Sequence, residues 1–256
     1  VGNSNTTVGL FNGTGELLFR ALLETSRSKT RDQCAIELLG VFQLYGADAC
    51  TVDGAILSSV VPPLTTIFTD AIARLTGIPP MVVGPGIRTG LNIKAEIHNQ
   101  LGSDIVASSV AAIAKYPSPI VMVDMGTATS LSLIVGSVYE GCIIMPGLAL
   151  ALDALSERAA ALPPISIETA SPVGLMGHTT EEAMRSGVLY GHASMVDGML
   201  ERIEESIGQS VTTVATGGNA PRILRYCKRP IQYDADLIMT GLYLLYQKNA
   251  KKYRKA

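Results

Sequence analysis

The chain of 256 residues contains no tryptophan, three histidines and four cysteines, and none of the cysteines forms a C-x-x-C pair. Cys34, Cys50, Cys142 and Cys227 are too scattered for a zinc site or a disulfide framework, and they fit a reducing cytoplasm. His98, His178 and His192 form no pair with metal-ligand spacing. No apolar run approaches the roughly 18 residues of a membrane span, and no signal peptide is visible. A net charge of −2 gives no electrostatic case for nucleic acid or an anionic membrane. The basic cluster from Lys248 to Lys255 reads as the solvated end of a C-terminal helix. The sequence begins at Val1, directly at G-N-S-N-T-T, and that turn is expected to follow an incoming strand.

What the chain does have is a globular composition, with 47% hydrophobic and 16% charged residues. Its length suits one large domain or two joined ones, and two are favoured, 1–115 and 116–256. Ile120 to Leu133, I-V-M-V-D-M-G-T-A-T-S-L-S-L, reads as strand, turn, strand, delivering Asp124 into a turn of glycine and threonines. Gly126 allows close backbone approach, and Thr127 and Thr129 add hydroxyls, a combination that suits nucleotide phosphates and a metal ion. An ordinary hairpin with a polar tip fits that stretch equally well. The start of the chain raises the first reading, because Gly2, Asn3, Ser4, Asn5, Thr6 and Thr7 precede an apolar strand in the same way. Such a duplication points to a bilobed, actin-like or sugar-kinase-like ATPase with nucleotide between lobes.

The remaining pattern is α/β throughout. Helices are expected over Ser28–Tyr45, Leu64–Leu75, from Gly102-Ser103-Asp104 through Lys115, from Leu148 to about Ala161, from Thr179 to about Ile207, and over Leu237–Lys248. Strands are expected over Glu16–Leu23, Val52–Val61, Met81–Val83 and Val211–Ala215, and S-S-V-V-P-P ends the second of these. Gly84 to Gly90, G-P-G-I-R-T-G, is either a ligand-facing loop or a simple crossover. Asp104 is either a helix cap or a functional carboxylate. Thr216 to Ala220, T-G-G-N-A, offers bare backbone to a flat ligand or forms a tight turn.

In order along the chain stand S-R-S-K-T-R-D at Ser26–Asp32, S-S-V-V-P-P, V-V-G-P-G-I-R-T-G-L-N-I, D-M-G-T-A-T, I-M-P-G and A-T-G-G-N-A. With the two glycine turns, these motifs resemble the type III pantothenate kinase family, which includes the Bvg accessory factor proteins, over nearly the whole chain. The resemblance implies a duplicated α/β fold of the actin, Hsp70, acetate-kinase and sugar-kinase class (ribonuclease H-like). It also implies a homodimer that phosphorylates pantothenate with ATP, Mg²⁺ and a monovalent cation, potassium or ammonium, in the first step of coenzyme A synthesis. By this likeness Gly2, Asn3, Ser4, Asn5 and Thr6 form the first phosphate turn, whose aspartate would precede Val1. Gly126 and Thr127 lie near the ATP phosphates, Asp124 holds the monovalent cation, and Thr216, Gly217 and Gly218 form the adenosine-side turn. Gly102, Ser103, Asp104 and Thr180 contact pantothenate, with Asp104 as proton acceptor.

The chain departs from the family on the pantothenate side. Ala95 replaces a tyrosine, Ile97 and His98 replace an asparagine and a proline, and Ile105 replaces an arginine; Cys142 stands where glycine is usual. Isoleucine cannot supply the planar cation that an arginine offers a carboxylate, and His98 sits where the motif has changed. Two further readings follow: a catalytically weakened paralogue acting as a nucleotide-binding regulatory or heteromeric subunit, and a kinase for a different small hydroxylated substrate.

Overall fold

The computed structural model describes residues 1–94, 101–167 and 173–250, so the expectations for Ala95, Ile97, His98 and the basic tail beyond residue 250 lie outside the described residues. In chain order the elements are β1 (Asn5–Phe11), β2 (Leu17–Glu24), α1 (Arg31–Leu44), β3 (Ile56–Leu57), α2 (Pro62–Thr76), β4 (Met81–Val82), β5 (Asn92–Ile93) and α3 (Ser103–Lys115). They continue with β6 (Ile120–Met125), β7 (Ala128–Val135), β8 (Val138–Pro146), α4 (Leu148–Arg158), α5 (Thr180–Ile207), β9 (Thr212–Thr216), α6 (Ala220–Leu224), β10 (Gln232–Tyr233) and α7 (Leu237–Asn249). The chain divides into two compact units, one of Val1–Ala114 with Asp236–Ala256, the other of Lys115–Ala235. The terminal helix α7 thus belongs with the first unit, whereas the sequence reading placed it with the second half. Its apolar stripe was legible, but a stripe does not name the surface that it covers.

In the first unit β1 and β2 form an antiparallel hairpin with Asn5 opposite Glu24. The Asn12 side-chain oxygen accepts from the Thr14 and Glu16 amides at 3.1 and 2.9 Å and so closes the connecting turn. Helix α1 starts on a capping box of Thr30 and Gln33 and buries Cys34, Leu38, Val41 and Phe42. The expected strand Val52–Val61 shrinks to Ile56–Leu57, paired in parallel with Met81–Val82. Pro62 and Pro63 do more than stop a sheet: they occupy the first turn of α2, where a missing N–H costs nothing. Helix α7 lies close on α3, since a Cβ on Gly241 would stand 1.8 Å from the Ala107 carbonyl oxygen. The glycine-rich loop after β4 is fastened to the end of α7. Asn249 exchanges hydrogen bonds with the Arg88 backbone, and Lys248 Nζ donates to the Thr89 carbonyl at 3.0 Å. That favours the crossover reading of the loop, and it gives Lys248 a docking partner where a solvated helix end was expected.

In the second unit the strands run in the order β10-β9-β6-β7-β8, with β6, β7 and β8 an antiparallel meander and β9 and β10 parallel additions. Ile120, Val121, Met122, Val123 and Met125 are buried, as expected of a central strand covered on both faces, and Asp124 is the one partly exposed residue of β6. Helix α5 lays Met184, Val188, Leu189, Ala193, Val196 and Leu200 into the core that holds Val121, Val123, Met125 and Leu131. Full burial of each of the larger side chains among these contributes roughly 1.5–3 kcal/mol. Thr179 caps the helix by accepting from the Glu182 amide at 3.2 Å, and Gly208, with φ 69°, ends it.

Candidate functional site

Each unit carries a glycine turn flanked by a second segment in parallel register. In the first, the Val1 nitrogen donates to the Ser58 carbonyl at 2.6 Å and Val60 N–H donates back to Val1 at 3.0 Å. In the second, Asp124 pairs with Thr216, and Asn219 N–H donates to the Met125 carbonyl at 3.0 Å. Gly2 N–H then bonds Asn5 at 2.9 Å, and Gly126 N–H bonds Ala128 at 3.0 Å. The two turns, found in the sequence by their glycines and threonines, therefore share the parallel flanking pairing, while the closing bond spans three residues at Gly2 and two at Gly126.

At the first turn Asn3, Ser4 and Asn5 are exposed, while Thr6 is 3% exposed and shares a 2.8 Å hydrogen bond with the Thr25 hydroxyl. Thr6 therefore faces inward and secures the hairpin, in contrast to its exposed neighbours. Thr25 N–H also donates to Ser4, and Arg27 Nη2 reaches Asn3 Oδ1 at 3.4 Å. The start of α3 is tied to the same region. Ser103 Oγ donates to the Ser59 carbonyl at 3.2 Å, so the 2.8 Å contact between Ser58 Oγ and Ser103 Oγ runs with Ser58 as donor. Asp104 follows directly, partly buried, within electrostatic reach of Val1, with Oδ1 accepting from Ile105 N–H at 2.8 Å. Gly102 makes room for it, because a Cβ there would come 2.4 Å from that carboxylate oxygen. Gly2, Asn3, Ser4, Asn5, Gly102, Ser103 and Asp104 are thus gathered by hydrogen bonds within one unit.

At the second turn the carbonyls point back into the protein. Asn219 Nδ2 donates to Gly126 at 3.1 Å, and Gly147 N–H donates to Thr127 at 3.1 Å. Thr127 itself is exposed. Gly217, at φ 93°, closes over Asp124: a Cβ on it would lie 2.7 Å from Asp124 Oδ1 and 2.6 Å from the Met125 carbonyl oxygen. Only glycine accommodates both that backbone angle and that approach. Thr216 is buried and Gly218 is exposed. Thr129 departs from its expected ligand-facing place, being 1% exposed with its hydroxyl 3.1 Å from His192 Nε2. Thr180, also in the second unit, is the exposed first residue of α5 and leaves the capping to Thr179.

The sequence reading gave no site role to Arg27, Gly147 or Asn219, and took His192 for a surface or packing residue. Arg27, Gly147 and Asn219 lay in quoted motifs, S-R-S-K-T-R-D, I-M-P-G and T-G-G-N-A, and for Gly147 its place between a strand and a helix was the available signal. His192 had none. Burial holds its imidazole below the usual histidine range, with a hydrogen bond to the Pro146 carbonyl partly opposing the shift. Among the described residues no three His, Cys, Asp or Glu side chains gather as a metal cage. A lone carboxylate beside a glycine turn matches a cation held chiefly by substrate oxygens and water.

The sequence model of the type III pantothenate kinase family matches residues 1–202. A type III pantothenate kinase from an Exiguobacterium species is 38% identical over 98% of both chains, and one from Geobacillus thermodenitrificans is 39% identical over 98% of this chain and 97% of its own. Among solved structures, a Baf family protein from Campylobacter jejuni superposes with a TM-score of 0.60 at 18% identity, covering 98% of this chain and 96% of that one. Component A of the (R)-2-hydroxyglutaryl-CoA dehydratase of Acidaminococcus fermentans gives a TM-score of 0.59 at 13% identity, covering 98% and 97%. The fold is mixed α/β, as the sequence led one to expect, and these two structures share it over nearly their whole length. With its family model matched across most of its length and relatives alike from end to end, the chain belongs to the type III pantothenate kinase family.

Proposed function

We propose that this kinase transfers the terminal phosphoryl group of ATP to pantothenate, giving 4′-phosphopantothenate in the first step of coenzyme A synthesis. Asp104 is the observation that carries the reading. Its carboxylate stands at the start of α3, beside a glycine turn, with Gly102 clearing space for it and Ser103 anchoring it to Ser58 and Ser59. A carboxylate held beside the attacking hydroxyl can accept its proton.

Phosphoryl transfer asks mainly for alignment and charge neutralisation. Gly126 and Thr127 receive ATP phosphates, Thr216, Gly217 and Gly218 take the adenosine side, and Gly2, Asn3, Ser4 and Asn5 form the first phosphate turn. Thr6 supports that turn from within through Thr25. Gly102, Ser103 and Thr180 contact pantothenate. Mg²⁺ and a monovalent cation, potassium or ammonium, fit a donor set of one carboxylate beside a glycine turn, and Asp124 is the residue that would hold the monovalent ion. Bound there, the cations supply charge neutralisation for the phosphates. The working form is a homodimer, and it acts in the cytoplasm, in keeping with four free cysteines.

The purified protein, given ATP, Mg²⁺, K⁺ and pantothenate, should release ADP and form 4′-phosphopantothenate, identified by mass. Nucleotide binding without turnover would instead favour the weakened-paralogue reading that Ile105 raises, and ADP release with a different hydroxylated acceptor would favour the altered-substrate reading.

A further inference from the structure

A buried histidine behind the second glycine turn has no part in the roles above. His192 projects from α5, is 5% exposed, and meets two consecutive strands of the meander. Its Nε2 lies 3.1 Å from Thr129 Oγ1, and the ring donates to the carbonyl of Pro146. A neutral imidazole has one N–H. With that proton directed at Pro146, Nε2 is an acceptor and the Thr129 hydroxyl is its donor.

These bonds bracket the tip of the turn. Thr129 lies two residues after Thr127 on β7. Pro146 pairs with Ala128 across the β7/β8 ladder and immediately precedes Gly147, whose N–H holds the Thr127 carbonyl at 3.1 Å. A closed circuit results, running from Thr127 through Ala128 to Thr129, across the imidazole to Pro146, and through Gly147 back to Thr127. The Thr129–His192 link lies in the interior, where an unmade hydrogen bond is costly and a made one holds its geometry firmly.

We infer that His192 is a positioning residue for nucleotide binding: through Thr129 and Pro146 it holds the Gly126–Thr127 turn in the shape that receives ATP phosphates. The inference rests on the reading of that turn as a phosphate site, and it assigns Thr129 to the support of the turn and not to the ligand. A merely structural role would lower stability and disturb both substrates alike. A positioning role weakens nucleotide selectively.

The test measures the dissociation constant of a non-hydrolysable ATP analogue without pantothenate, together with KM for each substrate, in wild type, Thr129→Val, Thr129→Ser, His192→Phe and the double variant Thr129→Val/His192→Phe. Thr129→Val keeps the shape of the side chain and is the variant most certain to fold. The expected result is about a tenfold loss of analogue affinity in Thr129→Val, the scale of one hydrogen bond. Thr129→Ser should stay within about twofold of wild type, the double variant should be no weaker than His192→Phe, and the pantothenate KM should not move. Unchanged analogue affinity in Thr129→Val, parallel changes in both KM values, or a serine variant as weak as the valine one would overturn the inference. Because the analogue is read without pantothenate, a wild type that binds it yet fails to phosphorylate pantothenate would count against the proposed substrate and leave the circuit to be judged by affinity alone.

Discussion

Gly147 N–H donates to the Thr127 carbonyl at 3.1 Å, with the two backbones so close that a Cβ on Gly147 would stand 2.3 Å from that oxygen. It would also stand 2.6 Å from the Gly126 carbonyl oxygen. Backbone cannot move aside as the end of a flexible side chain can, so Gly147→Ala must displace the turn. The expected outcome is a loss of about 1–3 kcal/mol in a denaturant melt, the usual scale of overpacking. A rise in ATP KM of at least about tenfold should accompany it, since small misplacements at a reacting group are costly.

Asp124→Asn keeps size and removes charge. With Asp124 as ligand of the monovalent cation, the rate of the variant should fall by about a hundredfold and lose its dependence on KCl, whereas the wild type should be faster in KCl than in an equal concentration of a bulky organic cation. Initial rates across a KCl titration check this. A variant that still responds to potassium with the wild-type profile would remove Asp124 from that role.

Ser103→Ala deletes the donor to Ser59 and the acceptor of Ser58 at the foot of the helix bearing Asp104. Two partly buried groups then lose a partner, and the melt should show about 1–2 kcal/mol less stability. Because Asp104 is displaced and not removed, kcat should fall by about tenfold, far less than on loss of the carboxylate itself. Steady-state kinetics beside a urea titration separate the two effects.

His192 also makes stability depend on pH. Its folded-state affinity for protons is depressed, chiefly by burial, so the unfolded chain binds more protons over the interval between the two pKa values. Its contribution is therefore complete above the unfolded value of about 6.5, declines as pH falls through it, and levels off below the folded value. The slope is bounded by about 1.4 kcal/mol per pH unit for one proton. Urea melts at several pH values should show wild type losing stability below about pH 6.5 more steeply than His192→Gln.

Much of this was legible beforehand because local chemistry dictated it. Strand β6 reads as an apolar run, α5 opens on Thr179 with acids in its first turn, and Asp104 falls at a helix start. The glycines of both turns announced themselves by standing among threonines and asparagines, and close approach demands glycine at Gly217, where a Cβ would stand 2.6 Å from the Met125 carbonyl oxygen, but not at Gly126, where a Cβ would meet nothing nearer than 3.8 Å. Less legible was anything fixed by contact between distant segments. The direction faced by Thr6 and Thr129 depends on Thr25 and His192, the docking of Lys248 depends on the loop at Thr89, and the placement of α7 depends on a gap at Gly241 that admits Ala107. Two threonines of one turn looked alike as donors, yet Thr127, which precedes β7 at the turn, is exposed, while Thr129, inside the strand and bonded to His192, is 1% exposed.

The role proposed for Asp104 is to accept the proton of the pantothenate hydroxyl. Its most direct test is the single-turnover rate of 4′-phosphopantothenate formation by Asp104→Asn with ATP, Mg²⁺ and K⁺, in a protein shown by its melt and by ATP-analogue binding to be folded and competent. The expected fall is about 10²–10⁴-fold, the range for loss of a positioned general base, with analogue affinity within about twofold of wild type. A rate within a few-fold of wild type would contradict that role.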